Sequence, residues 1–126
     1  MKWIPGLIII SIVLTILTIV MTACSTDKNV VPGQYDALAQ CMTANGAVMY
    51  GTEWCPHCKN QKGMFGKSFK LINYVDCDRY KNECIGAGVE GYPTWKINGT
   101  NYAGTQSIYT LAEKSGCMEK LTLGNA

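Results

Sequence analysis

The stretch Tyr50-Gly51-Thr52-Glu53-Trp54-Cys55-Pro56-His57-Cys58-Lys59 constrains this chain more than any other. The apolar run Ala47-Val48-Met49-Tyr50 predicts a short buried strand that ends at Gly51. A helical pattern begins at Pro56, a residue whose fixed φ and missing N–H suit the first turn of a helix. Cys55 and Cys58 therefore fall where a strand hands over to a helix N-terminus. Unpaired backbone N–H groups and the positive end of the helix dipole favour thiolate over thiol at Cys55. Cys58 follows one turn later, within reach to close a disulfide. That spacing is the geometry of a dithiol–disulfide switch.

Other uses of Cys-x-x-Cys compete with this one. Half of a zinc site needs a second pair at matching spacing, and the next cysteines, Cys77 and Cys84, do not supply it. A purely structural disulfide is a second use, but the strand–helix junction speaks for exchange. A non-enzymatic Cu(I)-binding module is a third, because the thiolates of Cys55 and Cys58 and the imidazole of His57 are soft ligands.

At these residues the chain resembles the thioredoxin superfamily. Trp54-Cys55-Pro56-His57-Cys58 matches its Trp-Cys-x-x-Cys active-site signature, and Gly91-Tyr92-Pro93-Thr94 resembles the loop that sets a cis-proline beside the dithiol. The Pro-His dipeptide is similar to that of strongly oxidising periplasmic disulfide oxidases of the DsbA type. A closer resemblance is to the thioredoxin-like domain associated with prokaryotic vitamin K epoxide reductase homologues. It is carried by Gly46-Ala47-Val48-Met49-Tyr50-Gly51, Trp54 to Cys58, Gln61-Lys62, Gly91-Tyr92-Pro93-Thr94-Trp95 and Ile97-Asn98-Gly99. The likeness runs from about Gln34 to Cys117.

The resemblance implies an α/β thioredoxin fold, a mixed four-stranded sheet with helices on both faces. It implies Pro93 as the cis residue, with Trp54, Tyr92 and Thr94 around the backbone that pairs with an extended substrate. One position departs from the pattern. Many relatives bury an acidic residue six positions before the first cysteine, and here that position is Met49. Proton removal from Cys58 then falls to water or another group, of which Glu53 is the nearest candidate. Glu53 reads equally well as a surface residue.

At 126 residues the chain is sized for one domain. Its net charge of +2 and the lack of a basic stretch give no sign of nucleic-acid binding. Residues Met1 to Ala23 carry one lysine and an almost unbroken apolar run from Leu7 to Met21. Met21-Thr22-Ala23-Cys24, followed by polar Ser25 to Asn29, resembles a bacterial lipoprotein signal with Cys24 as the lipid-modified residue. Met21 departs from the usual leucine there. Uncleaved, the segment from Trp3 to Ala23 is also long enough to cross a bilayer, for which about 20 apolar residues suffice. In both readings an N-terminal hydrophobic helix places the domain outside the cytoplasm and tethers it to a membrane. The expected organisation is residues 1–23 as signal peptide or anchor, 24–33 as linker and 34–126 as the thioredoxin-like domain.

Within that domain, Gln34 to Ala44 reads as an amphipathic helix stopped by Asn45-Gly46. Pro56 to about Lys67 is the active-site helix, with Met64 and Phe65 on the sheet and Lys59, Lys62 and Lys67 solvated. Leu71 to Asp76 is the second strand and Tyr80 to Gly86 a short helix. Thr94 to Ile97 and Thr100 to Ala103 flank Asn98-Gly99, a strong two-residue hairpin signal. That turn also accounts for the glycosylation sequon Asn98-Gly99-Thr100 without modification. Gln106 to Ser115 is the last helix expected, ended by Gly116.

Apart from Cys24, six cysteines remain, a density suited to an oxidising compartment. With Cys55 and Cys58 as the exchanging pair, the other four allow three pairings. Cys77–Cys84 is the first choice, the two being close in sequence, and the related domains imply a bridge here as well. Cys41–Cys117 follows by elimination and would tie the first helix to the last. Relay of electrons from one of these pairs to Cys55–Cys58 is the competing use.

Cys55 is the expected nucleophile and Cys58 the thiol that resolves the mixed disulfide. His57 can donate to the Cys55 sulfur or place positive charge near it, which makes the disulfide a stronger oxidant. The redox-active disulfide needs no cofactor, and no metal is expected. The function expected is a monomeric, membrane-tethered, extracytoplasmic thiol–disulfide oxidoreductase acting on cysteine-containing protein substrates. The resemblance implies re-oxidation by a quinone-linked membrane partner similar to vitamin K epoxide reductase or DsbB. A reductase, in cytochrome maturation or disulfide repair, is the enzymatic alternative.

Overall fold

The computed structural model describes residues 33–123. The segment expected to form a hydrophobic helix, and Cys24 with it, lies outside the described residues.

Helix α1 spans Asp36–Ala44 and buries Leu38, Ala39 and Met42. It starts later than the amphipathic pattern predicts because side chains capture the chain just before it. Gly33 N donates to Asp36 Oδ2 at 2.9 Å, and Tyr35 N donates to Ser68 Oγ at 2.9 Å. Gly46, at φ 78°, takes the left-handed conformation that turns the chain towards strand β1, Val48–Gly51. Helix α2 spans Pro56–Phe65 and stops at Gly66, where φ is 54°. A 3-10 helix, Gly66–Leu71, follows in place of a longer α2. Leu71 belongs to that turn, so strand β2 is confined to Asn73–Asp76.

Helix α3 covers Lys81–Gly86, and strands β3 and β4 cover Thr94–Ile97 and Thr100–Ala103. Between the two strands Asn98 (φ 50°) and Gly99 (φ 77°) are both left-handed, as a two-residue hairpin of the expected kind requires. Helix α4 runs over Ile108–Lys114, its start set by Ser107 Oγ, which accepts from Thr110 N at 3.0 Å. A further helix, α5 at Met118–Leu123, follows Gly116, where the sequence pattern predicts no element.

The sheet order is β2-β1-β3-β4, with β1 and β2 parallel and the other pairs antiparallel. Period-two alternation along β1 divides its side chains between the two faces. Met49 packs with Trp95 and Ile97 against Leu38 and Met42 of α1, Phe65 of α2 and Leu111 of α4. Val48 and Tyr50 belong to a second cluster, with Val75, Cys77, Cys84 and Ala87. This is the thioredoxin fold, a mixed four-stranded sheet with its helices.

Two disulfides fasten it. Cys41–Cys117 joins α1 to the turn between α4 and α5, with a Cα–Cα distance of 6.0 Å. Cys77–Cys84 joins the residue after β2 to α3 across 5.8 Å. Among the described residues, no helix is long and apolar enough to cross a membrane.

Candidate active site

Cys55 is the N-cap of α2, with extended backbone (φ −70°, ψ 120°) that turns into the helix at Pro56. An N-cap side chain accepts from free N–H groups of the first helical turn. Here the acceptor is a sulfur: Cys58 N lies 3.4 Å from Cys55 Sγ. Burial of Cys55 opposes its ionisation. Hydrogen bonds from the Cys58 thiol and from the backbone of Cys58 and His57 outweigh it and hold the Cys55 thiol below its ordinary range.

Cys58 is the opposite case. It is fully buried, against 4% exposure for Cys55. Burial pushes its thiol up to about 11, and the neighbouring Cys55 adds to the rise; the backbone of Thr52 and the charge of Lys62 oppose it. Two thiols one helical turn apart are thus separated into one that ionises readily and one that keeps its proton. Such a division assigns the nucleophile and the resolving group.

The Tyr92–Pro93 peptide is cis, and Pro93 is fully buried. Its loop reaches the dithiol directly, since Cys55 Sγ donates to the Tyr92 carbonyl oxygen at 3.6 Å. Trp54 and Tyr92 are exposed on either side and meet edge to face, their ring centroids 6.2 Å apart. Trp54 Nε1 is anchored by Asp78 Oδ2 at 2.9 Å, next to the Cys77–Cys84 bridge. Thr94 is buried and its hydroxyl donates to Gly91 O at 2.8 Å, so its side chain closes the loop and does not present itself outward. His57 reaches Cys55 through its backbone, while its side chain is exposed.

Two residues have roles that the sequence reading missed. Lys62, expected to be solvated, has a side chain only 22% exposed. Its ammonium sits 4.0 Å from the centroid of the Tyr74 ring and 2.6 Å from Glu53 Oε1. The hydrogen bond from Lys62 holds the Glu53 carboxyl below its usual range. A ring face and a carboxylate together draw the ammonium in from solvent. Gln61 is fully buried and completely paired: its Oε1 accepts from Trp95 Nε1 (3.2 Å) and Gln106 N (2.7 Å), and its Nε2 donates to Gln106 O (3.1 Å). The signal was available, because Gln61 shares the buried face of α2 with Cys58 and Phe65 at helical spacing.

Met49, six positions before Cys55, is fully enclosed in the core. Among the described residues, no group of three or more His, Cys, Asp and Glu side chains is placed to hold a metal ion.

The thioredoxin family model matches residues 28–120. The chain belongs to the thioredoxin family. It is 44% identical over 89 residues to the thiol-disulfide oxidoreductase LTO1 of Arabidopsis thaliana, a match covering 64% of this chain and 24% of that protein. It is 32% identical over 88 residues to a protein disulfide-isomerase of Aspergillus niger, over 62% of this chain and 17% of that protein. The chain thus spans about a quarter or less of the curated relatives it matches. The crystal structure of oxidized glutaredoxin 2 from Chlamydomonas reinhardtii aligns with 75% of this chain and 99% of its own, at 22% identity and a TM-score of 0.38. Thioredoxin-family membership and the names of the curated relatives support thiol–disulfide oxidoreductase activity.

Proposed function

We propose that this thioredoxin-family protein oxidises cysteine pairs in protein substrates through the Cys55–Cys58 disulfide. The observation that carries the reading is the asymmetry of the dithiol, with the Cys55 thiol held low and the Cys58 thiol pushed up to about 11. In the first step a substrate thiolate attacks Cys55 Sγ. The Cys55–Cys58 bond breaks, and Cys58 leaves as a thiolate that takes up a proton. In the second step another substrate thiolate attacks the substrate sulfur of the mixed disulfide, and Cys55 departs as thiolate. Two electrons pass from substrate to protein, which is left as the dithiol. A leaving thiol of low pKa departs faster. The hydrogen bonds to Cys55 sulfur therefore favour release of oxidised substrate and stabilise the reduced protein, which makes the disulfide the stronger oxidant.

The setting proposed is extracytoplasmic and membrane-tethered, through residues 1–23 or a lipid on Cys24. Two disulfides outside the dithiol support an oxidising compartment. The partner proposed for re-oxidation is a quinone-linked membrane oxidoreductase similar to vitamin K epoxide reductase, on the strength of the subfamily resemblance of the Trp54–Cys58 and Gly91–Trp95 stretches. Trp54 and Tyr92 flank the sulfur that a substrate chain would approach.

Replacing Cys58 by Ala removes the resolving thiol and tests the chemistry. Exchange is reversible, and in Cys58→Ala the Cys55 thiolate attacks a substrate disulfide, the substrate's other sulfur leaves as thiolate, and no Cys58 thiol is there to displace the adduct from Cys55. The expected result is an accumulation of substrate proteins bound covalently to Cys55 and released by reductant. Absence of such adducts, with Cys55 shown to be reactive towards an alkylating agent, would overturn the exchange mechanism.

A further inference from the structure

The apolar Met49 shares the core cluster with the buried Cys58 and offers it no acidic neighbour, yet exchange requires Cys58 to become an anion. Four observations converge on how this chain meets that need. Lys62 lies four residues after Cys58 on α2, so the two share one face of the helix. A Cβ added at Gly51 would fall 2.7 Å from Cys58 Sγ and 3.4 Å from Tyr74 Cε2, so the sulfur and the edge of the Tyr74 ring line one gap. Lys62 Nζ sits over that same ring, 4.0 Å from its centroid, and over Phe69 at 5.5 Å. Glu53, on the loop before α2, fixes the ammonium at 2.6 Å, with the Lys62 side chain sheltered and that of Glu53 66% exposed.

We propose that Lys62 is a positioning residue for the exchange step at Cys58: its ammonium, held by Glu53 and the Tyr74 ring, stabilises the Cys58 thiolate by charge, in a site that has no buried acid. This rests on the exchange chemistry proposed above and adds the group that makes its buried sulfur usable. When a mixed disulfide on Cys55 is resolved, Cys58 gives its proton to water and its thiolate attacks Cys55 Sγ. The Cys55–Cys58 bond forms and the bound thiol leaves as thiolate. In the opposite direction Cys58 departs as thiolate and is protonated by water. Lys62 lowers the energy of the anionic sulfur both ways and keeps its own proton.

The titratable and charged groups around Cys58 are few. Helix α2 supplies Lys62 and Lys59 with Cys55 as its N-cap, the preceding loop supplies Glu53, and β2 supplies Tyr74 and Asp76. Strands β1 and β3 bring Met49 and Trp95, which do not titrate. Burial raises the Tyr74 hydroxyl above its ordinary range, so Tyr74 contributes a ring face and not a charge. Glu53 carries the carboxylate that pairs with the Lys62 ammonium. Lys62 is the cation that acts on Cys58.

The test is the stopped-flow reaction of the reduced protein with a nitrophenyl disulfide probe. The first equivalent of coloured thiolate reports attack by Cys55, and the second reports Cys58 resolving the adduct. In Lys62→Met the first phase is expected to stay within about twofold of wild type and the second to slow about tenfold at neutral pH, its pH midpoint moving up. Lys62→Arg is expected to restore the second phase, because it restores the charge. An unchanged rate and midpoint for the second phase in Lys62→Met would overturn the proposal. Equal slowing of both phases would overturn it too, since that reports a general disturbance of α2. If the wild type itself yields no second phase, it is the exchange reading that fails, not the assignment of Lys62.

Discussion

The indole N–H of Trp95 donates to Gln61 Oε1 across 3.2 Å, where α2 meets β3 and both side chains are fully buried. Gln106 N donates to the same oxygen at 2.7 Å, so one amide fastens the active-site helix to the sheet and to the loop before α4. Gln61→Leu keeps the volume and leaves the buried Trp95 N–H and the half-buried Gln106 N–H unpaired, at a cost of about 1–3 kcal/mol for the first and less for the second. The expected loss is about 2–4 kcal/mol of unfolding free energy. Denaturant titration of the reduced protein measures it.

The two thiols of the site are expected to titrate far apart. Cysteine-selective carbon labelling followed by NMR should show Cys55 ionising below the ordinary thiol range and Cys58 at about 11. Alkylation at neutral pH is expected to modify Cys55 first, with Cys58 protected by its full burial.

The raised Cys58 thiol also makes the stability of the dithiol form depend on pH. Between its ordinary value of 9.0 and about 11, the folded protein keeps a proton that the unfolded chain has lost. Folded stability from this group is therefore full below 9 and is lost as pH rises through that window. The comparison of wild type with Cys58→Ser isolates the thiol from the lysines and tyrosines that titrate nearby. Unfolding free energies measured from pH 8 upwards should fall more steeply for the wild type, by about 2–3 kcal/mol in all.

Much of the site was legible in the sequence because local chemistry dictates it. An apolar strand, a cysteine and then proline fix the junction that makes Cys55 an N-cap, and Asn98-Gly99 fixes the hairpin through its left-handed backbone. What was not legible depends on contacts between distant segments. Helix α1 starts at Asp36 because Ser68, far along the chain, accepts from Tyr35 N. Lys62 leaves solvent because parallel pairing of β1 with β2 sets Tyr74 beside Met49. Both depend on the register of the finished sheet, which no window of sequence contains. The end of α2 at Gly66 has a local signal in the glycine itself, which takes φ 54° there.

The two disulfides close loops of very different length, with separations of 76 residues for Cys41–Cys117 and 7 for Cys77–Cys84. Loop-closure entropy then assigns about 4.5 kcal/mol to the first and about 2.4 kcal/mol to the second. Paired Cys→Ser variants are expected to lose stability in that order in thermal melts. Removing Cys77–Cys84 is expected to act on the site as well, because Asp78 next to it holds the Trp54 indole. Its signature would be a change in Trp54 fluorescence that the Cys41/Cys117 variant does not share.

The most direct measurement is the reduction potential of Cys55–Cys58, obtained by equilibration with glutathione buffers and quantified by thiol trapping. Stabilisation of the Cys55 thiolate by its hydrogen bonds leads to an expected value of about −120 mV, at the strongly oxidising end of the thioredoxin-like range. A value of about −270 mV, typical of reducing thioredoxins, would contradict the oxidising role and turn the same site into a reductase.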